Sequence, residues 1–162
     1  MGIALNAIQR DAIALDPQKG IRIARKIAML SYKSDELFRE RHGRRTDRKA
    51  IQRFDIEGYL EHQADVFERR MHPQSYVTLT EAMDSFDVRG AEPVDTSPEL
   101  LFVGISSDWL FLPQDVRAAA ERFASRGYRS TYREIDSTHG HDAFLAEPEK
   151  LAAILSYAAD LR

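Results

Sequence analysis

Leu100-Leu-Phe-Val-Gly-Ile-Ser-Ser-Asp108 is the stretch on which the reading of this chain turns. It is a continuous apolar run, too short for a helix and closed by hydroxyl residues and an acid. Such a run fits a strand buried on both faces of a parallel sheet. Gln114–Arg126 follows with Val116, Ala119, Ala120 and Phe123 at helical spacing, and Gly127 ends the pattern. Tyr128–Ile135 then reads as a second strand. Pro148 suits the first turn of a last helix, striped by Leu151, Ile154, Leu155 and Ala158. The order is β-α-β-α, an α/β pattern with a helical crossover between parallel strands. Two parallel strands make the end of a sheet, since their outer edges need neighbours.

The chemistry follows from where these strands end. In open α/β sheets functional groups collect beyond the carboxyl ends of the strands. Asp108 lies two residues past Ser106, and His141 six residues past Ile135, in Thr-His-Gly-His-Asp-Ala-Phe144. A right-handed crossover brings both loops to the same side of the sheet. The acid can then accept from the imidazole Nδ1 and leave Nε2 as a base. Acid before histidine is the closing half of the Ser…Asp…His order of α/β-hydrolases. The opening half, a G-x-S-x-G elbow, is not among these 162 residues. Ser106 and Ser107 precede the acid itself and lack that glycine spacing. Singly, Asp108 reads as a turn or cap residue ahead of Pro113, and His141 as a loop histidine; their order and setting together favour the pair. His139 and His141 also form an H-x-H, but no third ligand stands out, so neither a metal nor another cofactor is expected.

Upstream, residues 1–90 read as helical. Ile3, Ala7, Ile8 and Ile13 give an amphipathic pattern that stops at Asp16-Pro17. Gly20 opens a second helix with Ile21, Ala24, Ile27 and Ala28 on one face. Ser34 caps a short third helix. Asp55 caps a fourth, with Ile56, Tyr59, Leu60, Gln63 and Phe67 in register. Tyr76, Leu79 and Met83 mark one more short helix after Pro73. Residues 91–98, with two prolines, form a polar linker.

A hydrophobic share of 43% beside 30% charged residues fits a globular chain of one modest domain. The net charge of -3 gives no general attraction to nucleic acid or an anionic membrane. The basic stretch Arg39–Arg53 reads as a solvated face in preference to a phosphate site. With no cysteine, disulfides and thiolate chemistry are excluded. No apolar run approaches the roughly 20 residues of a membrane span, and no basic region precedes the first apolar residues. A cytoplasmic location is the expectation.

Longer motifs make the reading specific. Ser106-Ser-Asp-Trp-Leu-Phe111 and Gly140-His-Asp-Ala-Phe-Leu145 resemble the acid and base motifs of the homoserine O-acetyltransferase family. Ala4-Leu-Asn-Ala-Ile-Gln-Arg-Asp-Ala-Ile13, Gly20-Ile-Arg-Ile-Ala-Arg-Lys-Ile-Ala-Met-Leu-Ser-Tyr-Lys-Ser34, Phe54-Asp-Ile-Glu-Gly-Tyr59 and Tyr76…Ala82-Met-Asp84 continue the resemblance along nearly the whole chain. It implies the C-terminal portion of an α/β-hydrolase fold: the last two parallel strands and their helices, with a helical lid inserted before them. Residues 1–19 would lead from the core into the lid, 20–90 would form it, and 91–162 would complete the core.

By the same resemblance, Asp108 and His141 are the triad acid and base, Arg25 meets the substrate carboxylate, Tyr32 lines that pocket and Asp142 holds the substrate ammonium. The implied reaction is acetyl transfer from acetyl-CoA, a co-substrate, to L-homoserine in methionine biosynthesis. A chain carrying the N-terminal half would supply the serine, and a homodimer through the helical lid is a further expected partner. The loop many members carry between Pro17 and Gly20 is short here, which leaves acetyl against succinyl donor open. A related hydrolase, a serine O-acyltransferase and a non-catalytic remnant or interaction module also stay open.

Overall fold

The computed structural model describes residues 1–50 and 52–160, with side chains through Ser156; Ile51 of the basic stretch and the side chain of Ala158 lie outside the described residues. The chain divides into two compact units. One comprises Met1–Ser31 and Phe38–Asp87, the other Tyr32–Leu37 and Val88–Arg162.

The first unit is helical. Its helices are α1 (Gly2–Leu15), α2 (Pro17–Tyr32, whose last residue passes into the second unit), α3 (Asp35–Arg41, shared at Leu37), α4 (Asp55–Glu68) and α5 (Pro73–Ser85). Asp16 breaks the chain between α1 and α2 with extended backbone. Its Oδ1 accepts from the N–H groups of Gln18 (3.1 Å) and Lys19 (3.0 Å). With Asp16 capping and Pro17 at the first position, α2 starts three residues before Gly20, and not at it as the sequence suggests. Gly20 serves the packing of the two helices instead. A Cβ there would sit 2.2 Å from the Ala12 carbonyl oxygen, so only glycine lets α2 close on α1.

The core of this unit is Ile13, Ile21, Ala24 and Phe67, with Met71, Tyr76 and Val77 packed against it. Of the apolar pattern on α1, Ile13 is buried, while Ile3 and Ile8 are more than half exposed. Arg22 ties α2 to α4 through Asp65 (2.6 Å), Glu68 (2.6 Å) and Glu61, and Glu61 also pairs with Lys26. These carboxylates, Glu68 first, hold the guanidinium charged beyond its ordinary range. At the start of α4 the cap is Phe54, not Asp55. The Asp55 carboxylate is taken by His42 Nδ1 (2.7 Å), and Glu57 reaches back to accept from the Phe54 N–H (2.7 Å). Helix α5 runs 13 residues, longer than its apolar pattern suggests, and Leu79 and Met83 face solvent. Tyr76 Oη to Gln9 (2.5 Å) and Asn6 to Asp84 (2.7 Å) join α5 to α1.

The second unit holds the sheet. Strands β1 (Leu100–Ile105) and β2 (Ser130–Ile135) pair in parallel, from Leu100 opposite Ser130 to Ile105 opposite Ile135. Between them runs α6 (Pro113–Ser125), which turns at Gly127 with φ +92°. Beyond β2 come a 3-10 turn (Gly140–Asp142), α7 (Ala143–Ala146) and α8 (Pro148–Asp160). Strand β2 begins at Ser130, two residues later than the sequence suggests. Tyr128 packs its ring on Phe123 (5.2 Å between centroids), and Arg129 offers its carbonyl to Leu100. Strand β1 is less enclosed than its apolar run implies: Gly104 and Ile105 are buried, while Leu100 to Val103 are half-buried. The core gathers Ile105, Ile135 and Ala143 with Val103, Leu151 and Ile154; Leu155 of the expected stripe is exposed.

The close approach at Gly20 gives a direct test of the first unit. Gly20→Val should cost roughly 1–3 kcal/mol by overpacking, read as a lower urea midpoint by circular dichroism.

Candidate active site

The turn after β1 fixes an acid in place. The Asp108 N–H donates to the Ile105 carbonyl (3.0 Å), and the residue is only 4% exposed. Its Oδ1 accepts from the backbone N–H groups of Leu110 (2.8 Å) and Phe111 (2.9 Å). Its Oδ2 lies 2.8 Å from His141 Nδ1. The two readings the sequence leaves open, turn acid and partner of the histidine, are thus both realised, each on its own oxygen. An ionised carboxylate can only accept, so the proton of this bond is assigned to Nδ1, and Nε2 is the nitrogen left for proton transfer.

The imidazole sits among aromatic rings, with centroids of Phe111 at 5.2 Å, Tyr32 at 5.6 Å and Phe144 at 5.8 Å. A cavity of about 290 Å³ opens beside it, lined by Val103, Ile105, Asp108, Phe111, His141 and Phe144 among others. Apart from Asp108 and His141, the lining is apolar.

The two serines before Asp108 hold the loop that carries the histidine. Ser106 Oγ accepts from the Ser137 N–H (3.0 Å) and reaches Asp136 Oδ1 (3.0 Å) and the Ser137 carbonyl (3.2 Å) as a donor. Ser107 Oγ accepts from the Gly140 N–H (2.9 Å). Farther along, Ser137 Oγ accepts from the His139 N–H (3.0 Å) and donates to Glu147. Lys150 first, and then the Ser137 hydroxyl, hold the Glu147 carboxyl below its ordinary range.

The remaining candidates are placed as follows. Tyr32 lies against His141. Asp142 is paired with Lys33 Nζ at 2.8 Å, and both side chains are largely shielded. Arg25 belongs to α2 in the first unit, where its guanidinium lies 4.9 Å over the Phe67 ring and its buried Nε makes no hydrogen bond to a described residue. His139 Nδ1 faces Glu147 at 3.5 Å. Among the described residues no three His, Asp or Glu side chains converge as metal ligands.

Distance alone does not mark the site. His42 and Asp55 in the helical unit are also 2.7 Å apart, with the ring on Tyr59 (4.9 Å) and Phe38 (6.0 Å). Those residues stand at helix ends, Asp55 next to the isolated bridge between Thr46 and Phe54, whereas Asp108 and His141 follow adjacent parallel strands. Sequence reasoning missed Ser106, Ser107, Lys33 and Glu147; the only local signal was the hydroxyl pair directly before the acid.

No family model matches the chain. Among curated proteins, it is 40% identical to a homoserine O-acetyltransferase of Thermus thermophilus, over 94% of this chain and 41% of that protein. It is 37% identical to one of Moorella thermoacetica, over 96% of this chain and 48% of that protein. The chain therefore spans a little under half the length of these relatives. Among solved structures it matches homoserine O-acetyltransferase from Staphylococcus aureus with a TM-score of 0.75 and 27% identity, over 99% of this chain and 47% of that one. Esterase E22 matches with a TM-score of 0.78 at 16% identity, over 94% of this chain and 48% of that one, a likeness of fold. Among the described residues no helix is long and apolar enough to cross a membrane.

The lowered pKa of Glu147 has a signed consequence. Its contribution to stability is complete above the ordinary glutamate value of 4.5 and is lost as pH falls through the lowered folded value. Melting followed by circular dichroism should show the difference between wild type and Glu147→Gln shrinking on acidification from neutral pH to about pH 3.

Proposed function

We infer that this chain, a relative over nearly its whole length of the homoserine O-acetyltransferases with their α/β-hydrolase fold, supplies the acid and base of an O-acetyltransferase whose nucleophilic serine lies outside these 162 residues. The observation that carries this reading is the Asp108–His141 hydrogen bond between the loops that follow two parallel strands.

In this mechanism His141 Nε2 takes the proton of the serine hydroxyl as its oxygen attacks the thioester carbonyl of acetyl-CoA. The tetrahedral intermediate collapses, the sulfur leaves as CoA, and Nε2 returns the proton to it. The acetyl group is then an ester of the serine. Homoserine's hydroxyl gives its proton to Nε2, attacks the ester carbonyl and departs as O-acetylhomoserine, and Nε2 restores the serine proton. Asp108 stays ionised throughout and stabilises the imidazolium at each stage. Tyr32, Phe111 and Phe144 around the ring disfavour water, whose attack on the acyl-enzyme would waste it.

The acceptor roles rest on the motif resemblance. Arg25 offers a guanidinium whose buried Nε has no hydrogen-bond partner among the described residues, a donor suited to a carboxylate. Asp142 would take the ammonium in addition to Lys33, whose charge it already balances. The chain by itself would be nearly inactive, because triad members act as a unit.

The test mixes this chain with the part of the Thermus thermophilus relative that it does not match and follows CoA release from acetyl-CoA with homoserine. Activity is expected in the mixture only, and His141→Gln should lower it roughly 10²- to 10⁴-fold. Arg25→Met should raise KM for homoserine with a smaller effect on kcat. A mixture that associates yet releases no CoA would overturn the reading.

A further inference from the structure

Tyr32–Leu37 is flanked on both sides by residues of the helical unit, yet it belongs to the unit of the sheet. Besides the Tyr32 ring against His141, several contacts seat it there. Trp109 Nε1 donates to the Lys33 carbonyl at 2.9 Å. Ser34 Oγ donates to the Thr138 carbonyl, while the same oxygen accepts from the Leu37 N–H at 3.0 Å and so starts α3. Lys33 Nζ pairs with Asp142. Gly140, at φ +69°, lies so close that a Cβ would come within 2.6 Å of the Ser34 nitrogen.

These contacts converge on one object. Trp109 follows the acid directly, and Thr138, Gly140 and Asp142 surround His141 in sequence. The Lys33–Ser34 turn is therefore bonded to the acid's turn and to the histidine's loop at once. Ser106 and Ser107 restrain the same loop from the sheet side. A proton-transfer group must keep its geometry within a fraction of an ångström, and such groups depend on the residues that lock them.

We propose that Trp109 and Ser34 are positioning residues for His141: they clasp the Lys33–Ser34 turn across the acid and histidine loops and so hold the imidazole on Asp108. This rests on the acid–base reading above but concerns a different property, the time the His141–Asp108 bond spends closed. Trp109 is not among the residues that line the cavity beside His141, and its indole N–H is spent on the Lys33 carbonyl, so it acts through the turn. The clasp also gives the Trp109 side chain, the single tryptophan of the chain, an optical role as reporter of its own contact.

The test needs no turnover and uses the whole chain. Side-chain 1H–15N spectra follow the Nδ1–H of His141, identified by its loss in His141→Gln, and measure its exchange with water. Trp109→Phe keeps a ring and removes the donor; Ser34→Ala removes the hydroxyl, and Ser34→Thr restores it. In Trp109→Phe and Ser34→Ala the exchange should quicken at least about tenfold, with Ser34→Thr close to wild type. In Ser34→Ala the Trp109 emission should shift to the red. Urea midpoints confirm which variants are folded, and if one fails to fold the other decides. Exchange unchanged in a folded Trp109→Phe or Ser34→Ala overturns the clasp while leaving the dyad intact. An Nδ1–H that survives unaltered in Asp108→Asn removes the dyad itself, and with it both readings.

Discussion

The carboxylate of Asp108 is divided between two duties, and the second unit is organised around that division. One oxygen takes two backbone N–H groups and so fixes the turn after β1; the other takes the imidazole. Both are bonds to a charged acceptor, stronger than neutral ones and costly to leave unmade in a site this enclosed. Because the first set holds the acid rigid, the second inherits a direction. The imidazole is steered by a group that cannot itself swing, which is the condition for a defined tautomer.

Around this bond the structure adds restraint in layers. The strands set the distance between the two loops, since Ile105 and Ile135 are register partners and both are buried. The serines that end β1 take up backbone groups of the histidine loop. Ser137 and Gly140, the buried residues of this loop, would otherwise leave their N–H groups without these partners. Glu147 and Lys150 continue the network toward α8, where Lys150 also donates to the Asp136 carbonyl at 2.7 Å.

Much of this was legible in the sequence because it is written in local periodicity. The apolar run before Asp108, the striped helix after it and the second strand are short-range signals, and they place acid and histidine on one side of a sheet. The longer motifs carried the family resemblance that the comparisons support. Helix starts were read less well. Gly20 and Asp55 resembled boundary residues, but a nearby Pro17 and a competing His42 decided the matter. The exposure of Ile3 and Ile8 was not legible at all, since an amphipathic pattern does not say how much of its apolar face finds a partner. The roles of Ser106 and Ser107 were hidden for another reason: their partners stand 31 and 33 residues away, and no local rule links a hydroxyl to a backbone group at that remove.

The Ser34–Thr138 bond joins residues 104 apart in sequence. Closing so long a span costs chain entropy that no local contact repays in advance. Strands, helices and the Asp108 turn can form from neighbouring residues, but the turn at Lys33–Ser34 must wait for the far end of the chain. Contacts of this separation slow folding and tend to form late. That closure costs more chain entropy than the 33-residue span of the Asp108–His141 bond itself. A population in which helices and sheet are intact but the Lys33–Ser34 turn is unseated would look native to far-ultraviolet dichroism and yet lack the Ser34–Thr138 and Trp109–Lys33 bonds.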